Sequence, residues 1–375
     1  MTDSKNVGII TKPLGSGGTV PVSNLVDILA SVSGQVFIVT SNEGANLNPK
    51  KNEKIIINSF HYEYRTDVFG KIFENFSLQT RISFSILQQR KNINTWVFFL
   101  DSHVFILPVI VAKILGNKLV FPLAASIKGS AKAQNNWLNN LLILFESITF
   151  IFADRIILYS ENLIRDWDLT PYSSKIIIAH RHFLDFNTFT VIALFSGRSP
   201  IIGYIGRLSR EKGVLNFTQA LPAILSEQQD LRVVLGGDGQ LMEAIETSLQ
   251  EDGIAARVDL PGWISRDNLS GYLNQMRLIV LPSYSEGLPN IMLEAMACGT
   301  LVLATPVGAI PDVIIDGKTG FIMENNSPEC IAENVKRALD SPDLEQIAEN
   351  GRRFVEENFT FERVVERWKK VQKDL

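Results

Sequence analysis

Leu278-Ile-Val-Leu-Pro-Ser-Tyr-Ser-Glu-Gly-Leu-Pro-Asn-Ile-Met-Leu-Glu-Ala-Met-Ala-Cys-Gly299 decides how this chain folds. Its first four residues are a short, continuously apolar run, the pattern of a parallel strand buried on both faces. A small-residue loop follows, then Pro289 at the expected first turn of a helix, and an apolar helix that ends near Gly299. A strand, a glycine-bearing loop and a helix N-terminus together present free backbone N–H groups and the positive end of a helix dipole, which suits an anion. Glu286 in the loop and Glu294 in the helix flank that place. Carboxylates beside an anion pocket are tolerable when they bind neutral hydroxyls or meet a developing positive charge. Phosphate with hydroxyls points to a sugar phosphate or a nucleotide.

Working outward, the same strand–loop–helix unit repeats. Ile201–Ile205 leads into Gly206-Arg-Leu-Ser-Arg-Glu-Lys-Gly213, Leu231–Leu235 into Gly236-Gly-Asp-Gly239, and Val258–Leu260 into Pro261-Gly-Trp-Ile264. Downstream, Thr300–Ala304 leads into Pro306-Val-Gly-Ala-Ile-Pro311. Loops that follow successive parallel strands gather on one rim of the sheet, where open α/β folds bind ligands. Arg207 and Lys212 read as the one basic pair that a strand end delivers to that rim, as a diphosphate requires. The remainder, 328–374, reads as helical, closing with an amphipathic helix over 359–371.

The first half carries the same alternation. A strand at 6–11 is followed by Lys12-Pro-Leu-Gly-Ser-Gly-Gly-Thr19 and a helix from about Val20 to Val32. Gly15, Gly17 and Gly18 permit close approach of backbone to a ligand, but Val20 breaks the dinucleotide fingerprint and no Gly-Lys-Ser/Thr follows. Strands are expected at 35–40, 54–58, 95–100, 118–123, 155–159 and 175–179. The stretch 67–90 reads as a basic amphipathic helix whose apolar face is Ile72, Phe73, Phe76, Ile82, Ile86 and Leu87. That face suits a sheet, or a membrane surface. The runs 95–115 and 137–153 look membrane-spanning at first sight, yet Asp101, His103, Pro108, Asn139, Asn140 and Glu146 interrupt them. Asp101 and His103 fall at the C-terminal end of a strand, and Ser126–Ala133 is a basic loop. Ser196-Gly-Arg-Ser-Pro200 carries the turn residues of a linker. Domains are therefore expected at 1–197 and 198–355, with 356–375 a C-terminal helix.

A chain of 375 residues exceeds the usual size of one core, which agrees with two domains. The first 198 residues carry 19 Lys and Arg against 14 Asp and Glu, while the rest carry 17 against 26. The first half therefore suits an anionic surface or a phosphate-bearing acceptor, although its excess is too dispersed for nucleic acid. Cys298 and Cys330 read as core residues, and with no apolar leader at the start of the sequence the expected location is the cytoplasm, with peripheral contact on the cytoplasmic face of an anionic membrane also expected. Asn75, Asn216, Asn268, Asn325 and Asn358 head glycosylation-like triplets that carry no weight in that compartment.

Residues 203–321 resemble the family 4 retaining glycosyltransferases, of GT-B architecture. The likeness rests on Gly206-Arg-Leu-x5-Gly213, Gly236-Gly-Asp-Gly239, Pro261-Gly-Trp263, Pro282-Ser-x-x-Glu-Gly-x6-Glu-Ala-Met-Ala-Cys-Gly299 and Thr319-Gly-Phe321. It implies an α/β fold of two Rossmann-like domains with parallel sheets facing across a cleft, and a C-terminal helix that crosses back to the first domain. It also implies a nucleotide-sugar substrate, a UDP-sugar for preference, a lipid-linked or soluble glycan acceptor, and neither cofactor nor metal. By that likeness Arg207, Lys212 and Glu286 are catalytic, and Glu294 binds the ribose. Gly17, Gly18, Gly237, Trp263, Ile264, Gly287, Leu288, Pro289 and Asn290 complete the donor site. The family's histidine after the 118–123 strand is missing, since 121–126 reads Phe-Pro-Leu-Ala-Ala-Ser; His103, with Asp101, is the candidate on the sugar and acceptor side. A nucleotide-sugar epimerase of the same architecture and a non-catalytic donor-binding subunit are the alternatives.

Overall fold

A computed structural model describes residues 5–47, 52–124 and 137–373. The chain divides into two compact units, Met1–His182 with Phe361–Leu375, and Phe183–Thr360. The Ser196–Pro200 linker reading and the 197/198 boundary fall inside the second unit. Arg198 explains why: its buried guanidinium donates to the carbonyls of Met276 (2.9 Å) and Cys298 (2.5 Å) and to Thr300 Oγ1 (2.9 Å), which ties this segment to the second unit's core.

The first unit is built on seven strands, β1 (Val7–Thr11), β2 (Val36–Ser41), β3 (Ile55–Phe60), β4 (Thr95–Phe99), β5 (Lys118–Pro122), β6 (Arg155–Leu158) and β7 (Ile176–Ile178). They pair in parallel in the order β3-β2-β1-β4-β5-β6-β7. Every residue of β1, β2 and β4 is buried, as continuous apolar runs require between two helical layers. Its helices are α1 (Ser16–Val32), α2 (Val68–Gln88), α3 (Ile106–Ile114), α4 (Trp137–Phe152) and the short α5 (Asn162–Asp166). Helix α1 starts four residues before the expected Val20. Gly17 and Gly18 therefore lie in its first turn rather than in an open loop, and Pro21 sits inside the helix. The basic loop 126–133 lies outside the described residues.

Helix α2 departs from the reading in a telling way. Leu78, Ile82 and Ile86 are buried, but Phe69, Ile72, Phe73, Phe76 and Phe84 are exposed. Its apolar side chains are more than one packing face can take up, and the surplus is concentrated in the first two turns. No helix among the described residues is long and apolar enough to cross a membrane.

The second unit holds β8 (Ile201–Ile205), β9 (Arg232–Gly236), β10 (Val258–Gly262), β11 (Leu278–Leu281), β12 (Leu301–Ala304) and β13 (Phe321–Ile322). These also pair in parallel, in the order β10-β9-β8-β11-β12-β13. Its helices are α6 (Val214–Glu227), α7 (Met242–Glu251), α8 (Arg266–Gln275), α9 (Asn290–Ala297), α10 (Pro328–Leu339) and α11 (Leu344–Asn358). Cys298 and Cys330 are free and buried. After α11 the chain returns to the first unit as α12 (Phe361–Lys373), which packs on α1. Val364, Val365, Trp368 and Val371 form its buried stripe, and Trp368 Nε1 donates to the carbonyl of His180 at 3.0 Å.

Each sheet reverses its strand order once, between β1 and β4 in the first unit and between β8 and β11 in the second. Loops leaving two such strands part in opposite directions and open a crevice at the carboxyl ends.

Candidate functional site

The β8–β11 crevice collects the motif residues of the second unit. Backbone packing explains the glycines. Gly213 has φ +67 at the head of α6, and a Cβ there would lie 1.9 Å from the carbonyl oxygen of Pro282. Gly237, at φ +136, places its α-carbon where a Cβ would meet the Gly206 carbonyl oxygen at 1.8 Å. Only residues without a Cβ let the loops after β8, β9 and β11 lie this close.

Across the crevice, Lys212 Nζ meets Glu286 Oε1 at 2.7 Å, and Ser283 Oγ donates to the same oxygen at 2.7 Å. Lys212 keeps 27% of its side-chain surface and Glu286 11%, so the pair is only partly screened by water. Arg207 stands on the same rim with its side chain 72% exposed and an ion pair to Glu211 at 3.5 Å. Glu211 is in turn held by Ser209 Oγ at 2.7 Å. Below them the buried Tyr204 hydroxyl donates to the Arg207 carbonyl at 2.7 Å, and burial pushes its phenol well above its ordinary range. That bond fixes the backbone from which Arg207 projects.

Helix α9 begins at Asn290, with Pro289 as its N-cap residue rather than in its first turn. Leu288 and Pro289 are buried, whereas Gly287 is half-buried and Asn290 exposed. Gly308, at φ +60, rests against the carbonyls of Glu286 and Gly287, and the Ala309 N–H donates to Gly287 at 2.8 Å. The loop after β12 thus braces the loop that carries Glu286. Trp263 is 78% exposed, and Ile264 packs over the glycine that ends β9.

Glu294 lies one helical turn inside α9 with 6% of its side chain exposed, facing Arg266 Nη1 at 3.1 Å. Burial raises its pKa, and the neighbouring guanidinium opposes that shift only in part. Arg266 is a third cation delivered by a strand end, four residues past β10, and the reading of the sequence overlooked it. Its signal was available, a basic residue opening the helix after Pro261-Gly-Trp263. Its guanidinium also lies over the Phe189 ring, 5.2 Å from the centroid.

The first-unit candidates sit at the corresponding reversal. Asp101 pairs with Lys12 at 3.5 Å, both about half exposed. Leu100 and Asp101 adopt positive φ in succession, +51 and +57, a strained path for residues that carry a Cβ. Gly18 packs against Leu14 and Leu100 in the same place. His103 is not presented to the rim. It is 3% exposed, its Nε2 lies 3.3 Å from Glu146 Oε1 of α4, and its ring sits beside Phe150. A continuation of the chain from Asp101 into a short helical turn carries it inward.

Two doubly wound parallel units, each with a crevice at its strand reversal, have the architecture of the GT-B class. Residues 186–354, a little under half of the chain, match the family described as Glycosyl transferases group 1. An uncharacterised glycosyltransferase of Methanocaldococcus jannaschii, MJ1178, is 28% identical over 71% of this chain and 72% of its own length. Alpha-D-kanosaminyltransferase of Streptomyces kanamyceticus is 32% identical, over 40% of this chain and 39% of its own length. The chain thus spans about two fifths of that relative. Among solved structures, Anabaena Alr3699/HepE, in complex with UDP and glucose, superposes with a TM-score of 0.78 over 98% of this chain and 100% of its own, at 16% identity. That likeness is one of fold.

Proposed function

We propose that the protein is a retaining glycosyltransferase that moves a sugar from a nucleoside-diphosphate sugar, a UDP-sugar for preference, to a hydroxyl of a lipid-linked or soluble glycan. The observation that carries this reading is the Lys212–Glu286 pair at the β8–β11 reversal, next to the N-terminus of α9 and with Arg207 on the same rim. Lys212 uses one of its three N–H donors on Glu286 Oε1, which leaves the others and the Arg207 fork for a diphosphate. As the bond from sugar to diphosphate breaks, negative charge grows on the leaving group, and these preset cations stabilise that state more than the ground state. In this reading Glu286 takes the sugar hydroxyls and Glu294 the ribose. The departing phosphate takes the acceptor's proton. UDP in the Alr3699/HepE complex supports the choice of base.

The sharpest check is Arg207→Ala with Lys212→Ala. Transfer from any UDP-, GDP- or ADP-sugar should fall by at least about a thousandfold, the scale of two lost charge-stabilising contacts, with the fold retained. Near-parental transfer by the folded double variant would sink the proposal. An epimerase would instead convert the donor with no acceptor present, which mass spectrometry distinguishes.

The lipid-linked form of the acceptor draws support from the first unit. Phe69, Ile72, Phe73 and Phe76 of α2, Ile114 of α3 and Leu144 and Ile151 of α4 are all more than half exposed, on helices that neighbour one another. Among the described residues of α3 and α4 the one carboxylate, Glu146, is buried; α2 carries Lys71 and Arg81 with Glu74 between them, and Lys113 of α3 pairs with Asp154 at 2.8 Å. Large apolar side chains beside cations suit an anionic bilayer surface. Cosedimentation with phosphatidylglycerol vesicles, abolished by Phe73→Ser with Phe76→Ser, checks this, and equal binding by the variant excludes it.

A further inference from the structure

We propose that Arg181 is the anchor of a second oxyanion site, on the first unit, which takes a carboxylate or phosphate group. Arg181 follows β7 on the carboxyl rim of the first sheet and is 4% exposed. Its guanidinium lies between two aromatic rings, 5.1 Å from the centroid of Phe99 and 5.7 Å from that of Tyr159. Those contacts engage the faces of the guanidinium and leave its edge unused. Nε and Nη1 are enclosed and have no hydrogen-bond partner. The neighbourhood repeats the pattern: the Tyr159 hydroxyl and His182 Nδ1 are also buried and unpartnered. The Tyr159 and His182 rings meet edge to face at 4.9 Å, so these groups line one place.

Among the described residues no acid balances the charge. Arg181 has no ion pair with any described carboxylate. The titratable groups that sense its charge, His180 and His182, are neutral. Burial holds His180 down to about pH 3 and His182 well below its ordinary value, and Arg367 of α12 lies against His180. A buried cation with open donors and no counter-charge costs several kcal/mol unless an anion meets it. A carboxylate or phosphate edge matches the guanidinium fork, and the Tyr159 hydroxyl and a neutral imidazole add donors that an oxyanion accepts. Such a group is absent from a simple sugar hydroxyl acceptor and present on a uronic acid or a phosphate-linked one.

Thermal unfolding of the full chain tests this, in the Arg207→Ala, Lys212→Ala background so that the donor crevice makes no anion response. Millimolar inorganic phosphate or D-glucuronate should raise the melting temperature in proportion to ln(1 + [L]/Kd). Arg181→Gln should abolish the rise, and Arg181→Lys, a charge without a fork, should reduce it. In buffer free of both anions, Arg181→Gln should unfold at the parent's temperature or above, because it relieves an uncompensated charge. A response to phosphate alone identifies the ligand group as phosphate, and to glucuronate alone as carboxylate. The proposal is overturned if neither anion shifts the parent, if Arg181→Gln responds equally, or if that variant is less stable than the parent in anion-free buffer. None of these readings depends on transfer activity.

Discussion

The two strand reversals of this molecule carry the same device at different depths. In the first unit Lys12 meets Asp101 between the loops after β1 and β4, at 3.5 Å with both side chains about half exposed. In the second, Lys212 meets Glu286 between the loops after β8 and β11, at 2.7 Å with 27% and 11% exposure. Each crevice opens onto a helix headed by glycine, Gly15 for α1 and Gly213 for α6. The contrast lies in what surrounds the pair. Glycine-to-carbonyl contacts draw the loops of the second unit together, so its ion pair is shielded and its strength magnified. The first pair stands in water and is worth little. Topology sets where a site can form, and loop packing decides whether its charges work at full strength.

The largest expected effect is therefore the loss of transfer when Arg207 and Lys212 are both removed. Lys12→Ala sharpens the comparison: it should change unfolding free energy by less than about 0.5 kcal/mol, as an exposed pair does. A loss of several kcal/mol would erase the distinction drawn between the two crevices.

Next in size is a pair of glycine substitutions. Gly213→Ala forces a Cβ to within 1.9 Å of the Pro282 carbonyl oxygen at φ +67. About 3 kcal/mol or more of stability should be lost, because either the loop after β11 or the head of α6 has to move. Gly15→Ala places its Cβ with nothing within 4 Å and at φ −93, an ordinary conformation. It should cost about 1 kcal/mol at most, as capping preferences allow. Chemical denaturation of the two variants measures both. Equal losses would show that glycine at the head of the helix matters in itself, and not the closeness of the loops.

These features were unequally legible in the sequence. The alternation of apolar strands and amphipathic helices specifies both sheets because each unit buries its strands on two sides, and the glycines of the second rim stand out because backbone contact excludes every other residue. Arg266 with Glu294 is separated by 28 positions, and His103 with Glu146 by 43, so neither pair is implied by local spacing. Helix α2 shows a further limit. Its periodicity announces apolar side chains, but not that Ile82 and Ile86 face the core while Phe73 and Phe76 face outward. Arg198 misleads in the other direction: its polar, turn-rich context suggests a linker, and tertiary hydrogen bonds make it core.

Glu294→Gln has the smallest expected effect on the fold and bears on whether the second crevice is built for binding or for stability. Burial raises the folded pKa of this carboxyl above its ordinary 4.5. As pH climbs past 4.5, the unfolded chain ionises at Glu294 before the folded one does. The folded state is thereby disfavoured, increasingly so up to the folded pKa and constantly beyond it. At pH 7 the protein carries that cost, and glutamine removes it. The variant should unfold at the parent's temperature or slightly above at pH 7, with any advantage fading below pH 4.5. Its affinity for a UDP-sugar should nonetheless fall about tenfold, near 1.4 kcal/mol, because a neutral amide accepts ribose hydroxyls less strongly than a carboxylate. Arg266, 48% exposed, is left hydrated and not stranded. If the variant instead melts several degrees lower at pH 7 with donor affinity unchanged, the Glu294–Arg266 pair is a structural tie, and the ribose role assigned to Glu294 fails with it.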